Sequence, residues 1–340
     1  MINDKRKTIY VVGAGGRTGM LFCRELQGAA RVIGVAFPAE IENIKSKKAK
    51  ITRGKNPPEI FAAELTPPDG FGAAIARDAP DFLWLATRNS VDKITEFYYR
   101  HFAGRSNPPA LILSQNGLSA IDDARKGLRA AMGQDADKVA IVRVSLVNGV
   151  DLNADGNGTL TIDYKLPVKL GFANYIGDTY VIGLGEIFER AGIGARQFKG
   201  KDVLAMENAK LFLNLVGMAA AVEGVGAGAG WRDKKIFKKE IAMLREFVLA
   251  ANARRGGFAG ELGGYPVKLL ARLALLPAWL LAPWRGALAG VIAKGRNRPK
   301  DLSEIDYYNG EVVRLGKKAN VPTPINEEIV AKAQELKMQN

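Results

Sequence analysis

Within its first 26 residues the chain passes from an apolar run, residues 8–13 (TIYVVG), through Gly13-Ala14-Gly15-Gly16-Arg17-Thr18-Gly19 into a helical stretch over Arg17–Leu26. A strand, a tight glycine turn and a helix N-terminus in that order aim backbone N–H groups and the positive end of a helix dipole at one point. That arrangement suits a pyrophosphate. The strict G-x-G-x-x-G spacing is not met, because Thr18 holds the third glycine position and Gly19 follows one residue late; the same letters fit G-x-x-G-x-x-G. A lone glycine match is a weak signal. Here it is followed by four more buried-strand runs, at residues 31–36, 81–86, 110–114 and 139–146, each separated from the next by a polar or helix-compatible segment. Near-continuous apolar strands alternating with helices predict a parallel sheet covered on both faces. The turn marks Gly13, Gly15, Gly16, Arg17, Thr18 and Gly19 as residues that would hold a dinucleotide.

Further along the character changes. Residues 158–164 alternate as a strand and 178–191 read as a helix, but beyond Lys201 only helical periodicity is found, near 202–222, 234–253, 266–293, 302–319 and 325–338. Residues 224–230 (GVGAGAG) and 254–264 read as flexible punctuation between these helices. The expected architecture is an α/β Rossmann-type dinucleotide-binding domain over residues 1–175, followed by an all-α domain over 176–340 that serves substrate and dimerisation. The active site is expected in the cleft between the two.

Composition narrows the chemistry. With one cysteine, Cys23, and one histidine, His101, the chain lacks the parts for a His/Cys metal centre or a Ser-His or Cys-His triad, and no metal site is expected. Catalysis must draw on Lys, Arg, Asp, Glu, Asn, Ser or Tyr, or on a cofactor. The 49 Lys and Arg against 35 Asp and Glu give a formal charge of +14, which favours phosphates, carboxylate substrates or anionic lipid. No RNA-type aromatic motif or recognition helix accompanies the charge, so no specific nucleic-acid partner is expected. The first seven residues, MINDKRK, lead into the first strand without an apolar signal region, and a cytoplasmic location is expected.

The choice of dinucleotide turns on the end of the second strand, where an NAD site usually carries Asp or Glu for the ribose 2′-hydroxyl. The strand ends Val35-Ala36-Phe37-Pro38, with no acid. Arg17, Arg88 and the basic run Lys45, Lys47, Lys48, Lys50, Arg53 and Lys55 stand available for a 2′-phosphate, although most of those lysines read equally well as a solvated loop. On electrostatic grounds NADP is favoured over NAD.

Three later stretches carry more: LILSQNGL at 111–118, NAKLFLN at 208–214, and LSEIDYYNG at 302–310, continuing through EVVRLGKKANVPTPIN to Asn326. In this order, behind the glycine turn, they resemble the ketopantoate reductase family over nearly the whole chain. The resemblance implies NADPH-dependent reduction of a 2-oxo acid to a 2-hydroxy acid, 2-dehydropantoate to pantoate on the route to pantothenate and coenzyme A. It implies Lys210 as the catalytic lysine, Asn116 as the asparagine that helps hold nicotinamide ribose and substrate, and Glu304 as the acid that orients the lysine or a substrate hydroxyl. Lys210 and Asn214 stand four apart and so share a helix face, from which both can address one substrate. Taken singly, Lys210 reads as a solvated helix residue, Glu304 as a first-turn acid and Asn116-Gly117 as a turn pair. Their joint order lifts them above those readings.

The pattern also departs from the family. Counting along the helix from Lys210, a second family asparagine falls on Met218, a further one falls near Gly228, and the nearest match to a family serine is Ala287. Lost polar contacts would shift substrate preference, so a bulkier, more apolar 2-oxo acid stays open, as does a noncatalytic NADP-binding sensor or membrane-surface protein. Residues 266–293 form an unusually apolar insertion. Its longest uncharged stretch, residues 273–284, is 12 residues and is interrupted by Pro277 and Pro283, short of the ~20 needed to cross a bilayer. It reads as a buried helical hairpin, a homodimer contact, or a peripheral membrane element with Trp279, Trp284 and Arg285 at the surface.

Overall fold

The computed structural model describes residues 6–46, 48–88, 90–176, 179–293 and 298–338, with only the backbone described at 176 and 179–182. Residues 1–5 and Lys47 of the basic run lie outside the described residues. The chain divides into two compact units, Met1–Gln115 with Ala120–Lys199, and Asn116–Ser119 with Gly200–Asn340.

The first unit opens with strand β1 (Thr8–Val12), helix α1 (Arg17–Leu26), β2 (Arg31–Val35) and α2 (Pro38–Ser46). Three short strands follow, β3 (Lys50–Arg53), β4 (Glu59–Ile60) and β5 (Glu64–Thr66), then α3 (Phe71–Arg77), β6 (Phe82–Leu85), α4 (Val91–Tyr99), β7 (Ala110–Leu113), α5 (Ala120–Met132) and β8 (Ile141–Leu146). The unit closes with β9 (Val150–Ala154), β10 (Leu160–Tyr164), β11 (Lys169–Ile176), α6 (Thr179–Arg190) and β12 (Gly194–Phe198). Eight strands form the main sheet in the order β12-β11-β8-β7-β6-β1-β2-β5, and β4-β3-β10-β9 form a second, smaller one. The central strands pair in parallel, and β1 lies between β2 and β6. The order therefore reverses at β1, the switch point where open α/β sheets bind ligands.

Alternate residues of each central strand feed two separate cores. Ile9, Val11, Trp84 and Ile112 pack on one face with Phe22 and Phe188. Tyr10, Val12, Leu83 and Leu85 pack on the other with Phe71, Tyr99 and Leu128. Both faces being covered explains why these strands read as unbroken apolar runs. The unit extends past the residue-175 boundary expected from sequence. After β10 the chain returns as β11, antiparallel to β8, and β12 adds in parallel at the sheet edge. These strands were hidden because β12, GARQF, is short and mostly solvent-facing, as an edge strand can be.

The second unit is helical. Its elements are α7 (Asp202–Leu215), α8 (Met218–Ala221), α9 (Ala227–Arg232), α10 (Lys234–Ala253), α11 (Val267–Ala274), α12 (Ala278–Leu281), α13 (Arg285–Ala293), a 3₁₀ turn at Leu302–Tyr307, α14 (Asn309–Ala319) and α15 (Pro324–Met338). The window Asp202–Ala221 is long and apolar enough to cross a membrane, yet 72% of it is buried within the protein. Two sequence expectations change here. The helix expected over 202–222 breaks at Gly217, which takes φ +91°, and restarts as α8. The glycines at 224–230 do not merely punctuate, because α9 runs through them. A Cβ on Gly228 would lie 2.6 Å from the Ala293 methyl carbon, and one on Gly230 would lie 2.4 Å from that of Ala220. Both glycines are what lets neighbouring helices approach.

Carboxylates hold the helix ends. Glu246 of α10 accepts from the backbone N–H groups of Ile325 and Asn326 at 2.9 and 3.0 Å, which caps α15 where the sequence reads Pro-Thr-Pro-Ile-Asn. Glu240, fully buried, accepts from the N–H groups of Gly217 and Ala219 and so fixes the break before α8. Burial pushes the Glu240 carboxyl up from 4.5 to about 7, against the opposing pull of the Gly217 N–H and of Lys300. A carboxyl raised in the folded state contributes stability that is complete below its unfolded value and is lost as pH rises through 7. Wild type should therefore lose about 2–3 kcal/mol of stability relative to Glu240→Gln between pH 5 and pH 8, read from urea unfolding at the two pH values.

Candidate active site

The glycine turn closes on itself before it offers anything to a ligand. The N–H groups of Gly13 and Ala14 both donate to the Val35 carbonyl, at 2.9 and 3.0 Å, and Gly16 N–H donates to the Gly13 carbonyl at 3.0 Å. Gly13 sits at φ +86°, a conformation that favours glycine. A Cβ on Gly19 would fall 2.1 Å from the Gly13 carbonyl oxygen. Gly19 thus performs, one residue late, the close helix packing that the third glycine of the strict motif provides. Gly16 caps α1 in an extended conformation without a side-chain cap, no acid occupies the first turn, and Arg17 and Thr18 begin the helix. That is a backbone cradle for an anion. Beside it, Gln115 Nε2 donates to Thr87 Oγ1 at 3.3 Å, and the Thr87 methyl flanks Gly13. Gln115 Oε1 is buried without a protein partner, an acceptor left for a ligand donor. The residues present fit a dinucleotide.

The end of β2 differs from the sequence reading. Glu40, in the first turn of α2, folds back so that Oε2 accepts from Phe37 N–H at 2.9 Å. Its carboxylate lies against the turn, 2.5 Å from where a Gly15 Cβ would stand. An acid is therefore present at the glycine turn, five residues beyond the strand end and out of sight of a search confined to residues 35–38. Of the basic groups, Arg53 is taken by Glu25, at 2.7 and 3.1 Å, and that carboxylate also accepts from Tyr164 Oη at 2.6 Å. Arg88 is exposed shortly after β6. A hollow of about 540 Å³ bounded by Arg6, Arg31, Arg77 and Asp78 lies at the N-terminal ends of β1 and β2, the opposite end from the turn. Arg31 and Arg77 are already paired with Glu64 and Asp78.

In the second unit, three sequence-assigned residues meet. Asn116 Nδ2 donates to Glu304 Oε2 at 2.8 Å and to Tyr308 Oη at 3.0 Å, while its Oδ1 accepts from Asn214 Nδ2 at 3.0 Å. Tyr308 Oη donates to the same Glu304 oxygen. Gly117, at φ +97°, turns the chain directly after Asn116, and Ser119 N–H donates to Glu311 Oε1 at 3.1 Å, which ties residues 116–119 to α14. Glu304 is buried to 8% exposure in the 3₁₀ turn, whose start is capped by Asp301 accepting from Ser303 N–H at 2.9 Å. Lys300 Nζ donates to the Asn214 carbonyl at 2.6 Å. Lys210 lies one turn before Asn214 on α7, half-buried, on the face that carries Asn214. Sequence reasoning passed over Tyr308, four residues after Glu304 in the string that drew attention to it; a hydroxyl one helical turn from an assigned acid was the available signal.

Of the three positions read as lost substrate contacts, two are packing positions and the third is exposed. The helix carrying Lys210 and Asn214 ends at Leu215, so counting onward to Met218 does not follow one helix face; Met218 is fully buried in α8. Gly228 is the close approach of α9 to α13. Ala287 is exposed on α13.

A family model described as ketopantoate reductase PanE/ApbA C terminal matches residues 298–337, the segment that contains Glu304 and Tyr308. Among solved structures, D-mandelate dehydrogenase in ternary complex with NADH and anilino(oxo)acetate has a TM-score of 0.70 at 16% identity, over 96% of this chain and 97% of that one. A PanE/ApbA family ketopantoate reductase from Ralstonia eutropha JMP134 has a TM-score of 0.69 at 20% identity, over 98% and 100%. The 2-dehydropantoate 2-reductase from Methylococcus capsulatus has 0.66 at 18%, over 98% and 97%. No curated protein matches the chain. The resemblance to the ketopantoate reductase family holds: an α/β Rossmann-type unit is followed by a helical one, and the shared fold spans the chain.

Replacing Gly19 by Ala forces the new methyl carbon into the Gly13 carbonyl. Unfolding in urea should show a loss of about 2–4 kcal/mol, with dinucleotide affinity falling alongside. Unchanged stability would mean that α1 does not depend on this approach.

Proposed function

We propose that this chain is a nicotinamide-dinucleotide-dependent oxidoreductase that reduces a 2-oxo acid to a 2-hydroxy acid. The observation that carries the reading is the cluster of Asn116, Asn214, Glu304 and Tyr308 one helical turn from Lys210. A bound nicotinamide supplies the hydride that reaches C2 of the oxo acid. Lys210 donates a proton to the carbonyl oxygen as it becomes a hydroxyl, and its positive charge stabilises the developing alkoxide. Glu304, fixed by donors from Asn116 and Tyr308, orients the Lys210 ammonium or the substrate hydroxyl. Asn214 addresses the substrate from the same helix face as Lys210. The family likeness makes 2-dehydropantoate the first substrate to test. Met218 and Gly228 pack the helices and Ala287 is exposed, so none of the three supplies a polar contact, and a bulkier, more apolar 2-oxo acid is the second substrate to test.

The same reading covers the cofactor. Backbone N–H groups of Gly15, Arg17 and Thr18 hold the pyrophosphate, and Gln115 Oε1 takes a donor from the dinucleotide. The sequence favours NADPH, with no acid at the end of β2 and with Arg17, Arg88 and the basic run at 45–55 available for a 2′-phosphate. Glu40 reverses that preference, since a carboxylate accepts from a ribose 2′-hydroxyl and repels a 2′-phosphate. Our reading is NADH. Glu40→Gln keeps an acceptor for Phe37 N–H and removes the charge. Fluorescence titration should show the affinity ratio moving about tenfold toward NADPH, equivalent to ~1.4 kcal/mol; an unmoved ratio overturns the NADH assignment.

Lys210→Ala tests the chemistry. With 2-dehydropantoate and saturating cofactor, kcat should fall by roughly 10²–10⁴ while dinucleotide affinity stays as in wild type. Dinucleotide binding without turnover of any 2-oxo acid, in wild type as in the variant, would point to a sensor instead.

A further inference from the structure

Residues 262–300 contain no Asp or Glu and seven Lys or Arg. Within this stretch α11, α12 and α13 are broken apart by Pro277 and Pro283, so among the described residues no helix here is long enough to span a bilayer. They also leave large apolar side chains in water: Leu269, Leu276, Leu280 and Val291 are exposed, and Trp279 and Trp284 are exposed to 71% and 64%. Soluble surfaces seldom gather apolar groups this way without a partner.

The inner side of the segment is accounted for. Val267, Ala271, Ala274, Leu281 and Ala289 are buried, and α13 meets α9 through Ala293 and Gly228. The outer side is not. Trp284, in the 3₁₀ turn Ala282–Trp284 before α13, and Ala287 and Val291 on α13 are exposed at three- and four-residue spacing. On α11, Leu269 is exposed with Lys268 and Arg272 beside it, and Leu276 is exposed in the turn that follows. Arg298 is exposed at the end of the stretch. Arg285 differs, since it acts on Asp233 and helps hold that carboxyl below its usual range.

We propose that the outer face of α11–α13 docks on an anionic lipid surface, with Trp279 and Trp284 seated among the headgroups and Lys268 and Arg272 against the lipid phosphates. Charge decides between this occupant and a second copy of the chain. A two-fold interface would bring one acid-free basic face against its own equivalent, which opposes association. An anionic bilayer complements it, and tryptophan suits the headgroup region because its ring is apolar and its N–H polar. This docking is independent of the reaction proposed above.

The test is co-sedimentation of the full chain with vesicles of phosphatidylcholine alone and of phosphatidylcholine with about 30% phosphatidylglycerol, at ~0.1 M and ~0.5 M salt. The protein should sediment at least tenfold better with the anionic vesicles at low salt, and its tryptophan emission should shift to the blue. Trp279→Ala with Trp284→Ala should abolish binding, Lys268→Glu with Arg272→Glu should remove the preference for phosphatidylglycerol, and Leu152→Ala, on exposed β9, should bind as wild type. Emission of the wild type reports insertion without reliance on any variant. Absence of sedimentation overturns the proposal, as does equal sedimentation of wild type and the double-tryptophan variant. So does a dimer in sedimentation velocity that the double-tryptophan variant converts to monomer while wild type ignores the vesicles.

Discussion

The amide of Asn116 is the joint of the candidate site. Its nitrogen donates to Glu304 and Tyr308, and its oxygen accepts from Asn214, so one side chain fixes groups drawn from a 3₁₀ turn and from α7. A carboxylate at 8% exposure tolerates such burial only when donors meet it, and here two donors meet one oxygen. The network does more than hold the fold. It leaves Glu304 oriented, with Lys210 on α7 one turn from Asn214, and these are the groups on which the proposed reaction draws.

Much of this was legible because chemistry and periodicity coincide in sequence. The β1–turn–α1 unit reads directly, since buried strands are continuous apolar runs and the turn needs glycine at Gly13 for its positive φ. Lys210 and Asn214 read as one helix face, and α10 (Lys234–Ala253) reads whole because Asp233 caps it and its apolar spacing is regular. What stayed hidden depends on contacts far apart in the chain. The break at Gly217 is fixed by Glu240, 23 residues later. The helix through Ala227–Arg232 looked like a linker, because glycines that allow helices to approach are written with the same letter as glycines that bend loops. Glu40 escaped because its side chain folds back to Gly15, 25 residues earlier in sequence.

Carboxylates recur as the organising groups of a strongly basic chain. Glu246 caps α15, Glu240 holds the start of α8, Glu304 gathers the cluster, and Glu40 faces the dinucleotide turn. With so few acids placed on specific backbone and side-chain donors, much of the positive charge is left at the surface. It is densest, relative to acids, on the apolar segment from residue 262 to 300. One chain thus carries both a reductase-like site and a face suited to an anionic surface, built from separate parts of the helical unit.

The central claim is that hydride passes from a nicotinamide to C2 of a 2-oxo acid in a reaction that depends on this cluster. Incubating the protein with NADH deuterated at the transferable C4 position and 2-dehydropantoate, then reading the product by mass spectrometry and NMR, tests it directly. The account predicts one deuterium at C2 of the 2-hydroxy acid formed by wild type, and labelled product formed about 10²–10⁴ times more slowly by Lys210→Ala. Product without deuterium, or no product from 2-dehydropantoate or any other 2-oxo acid by a protein that binds the cofactor, would contradict it.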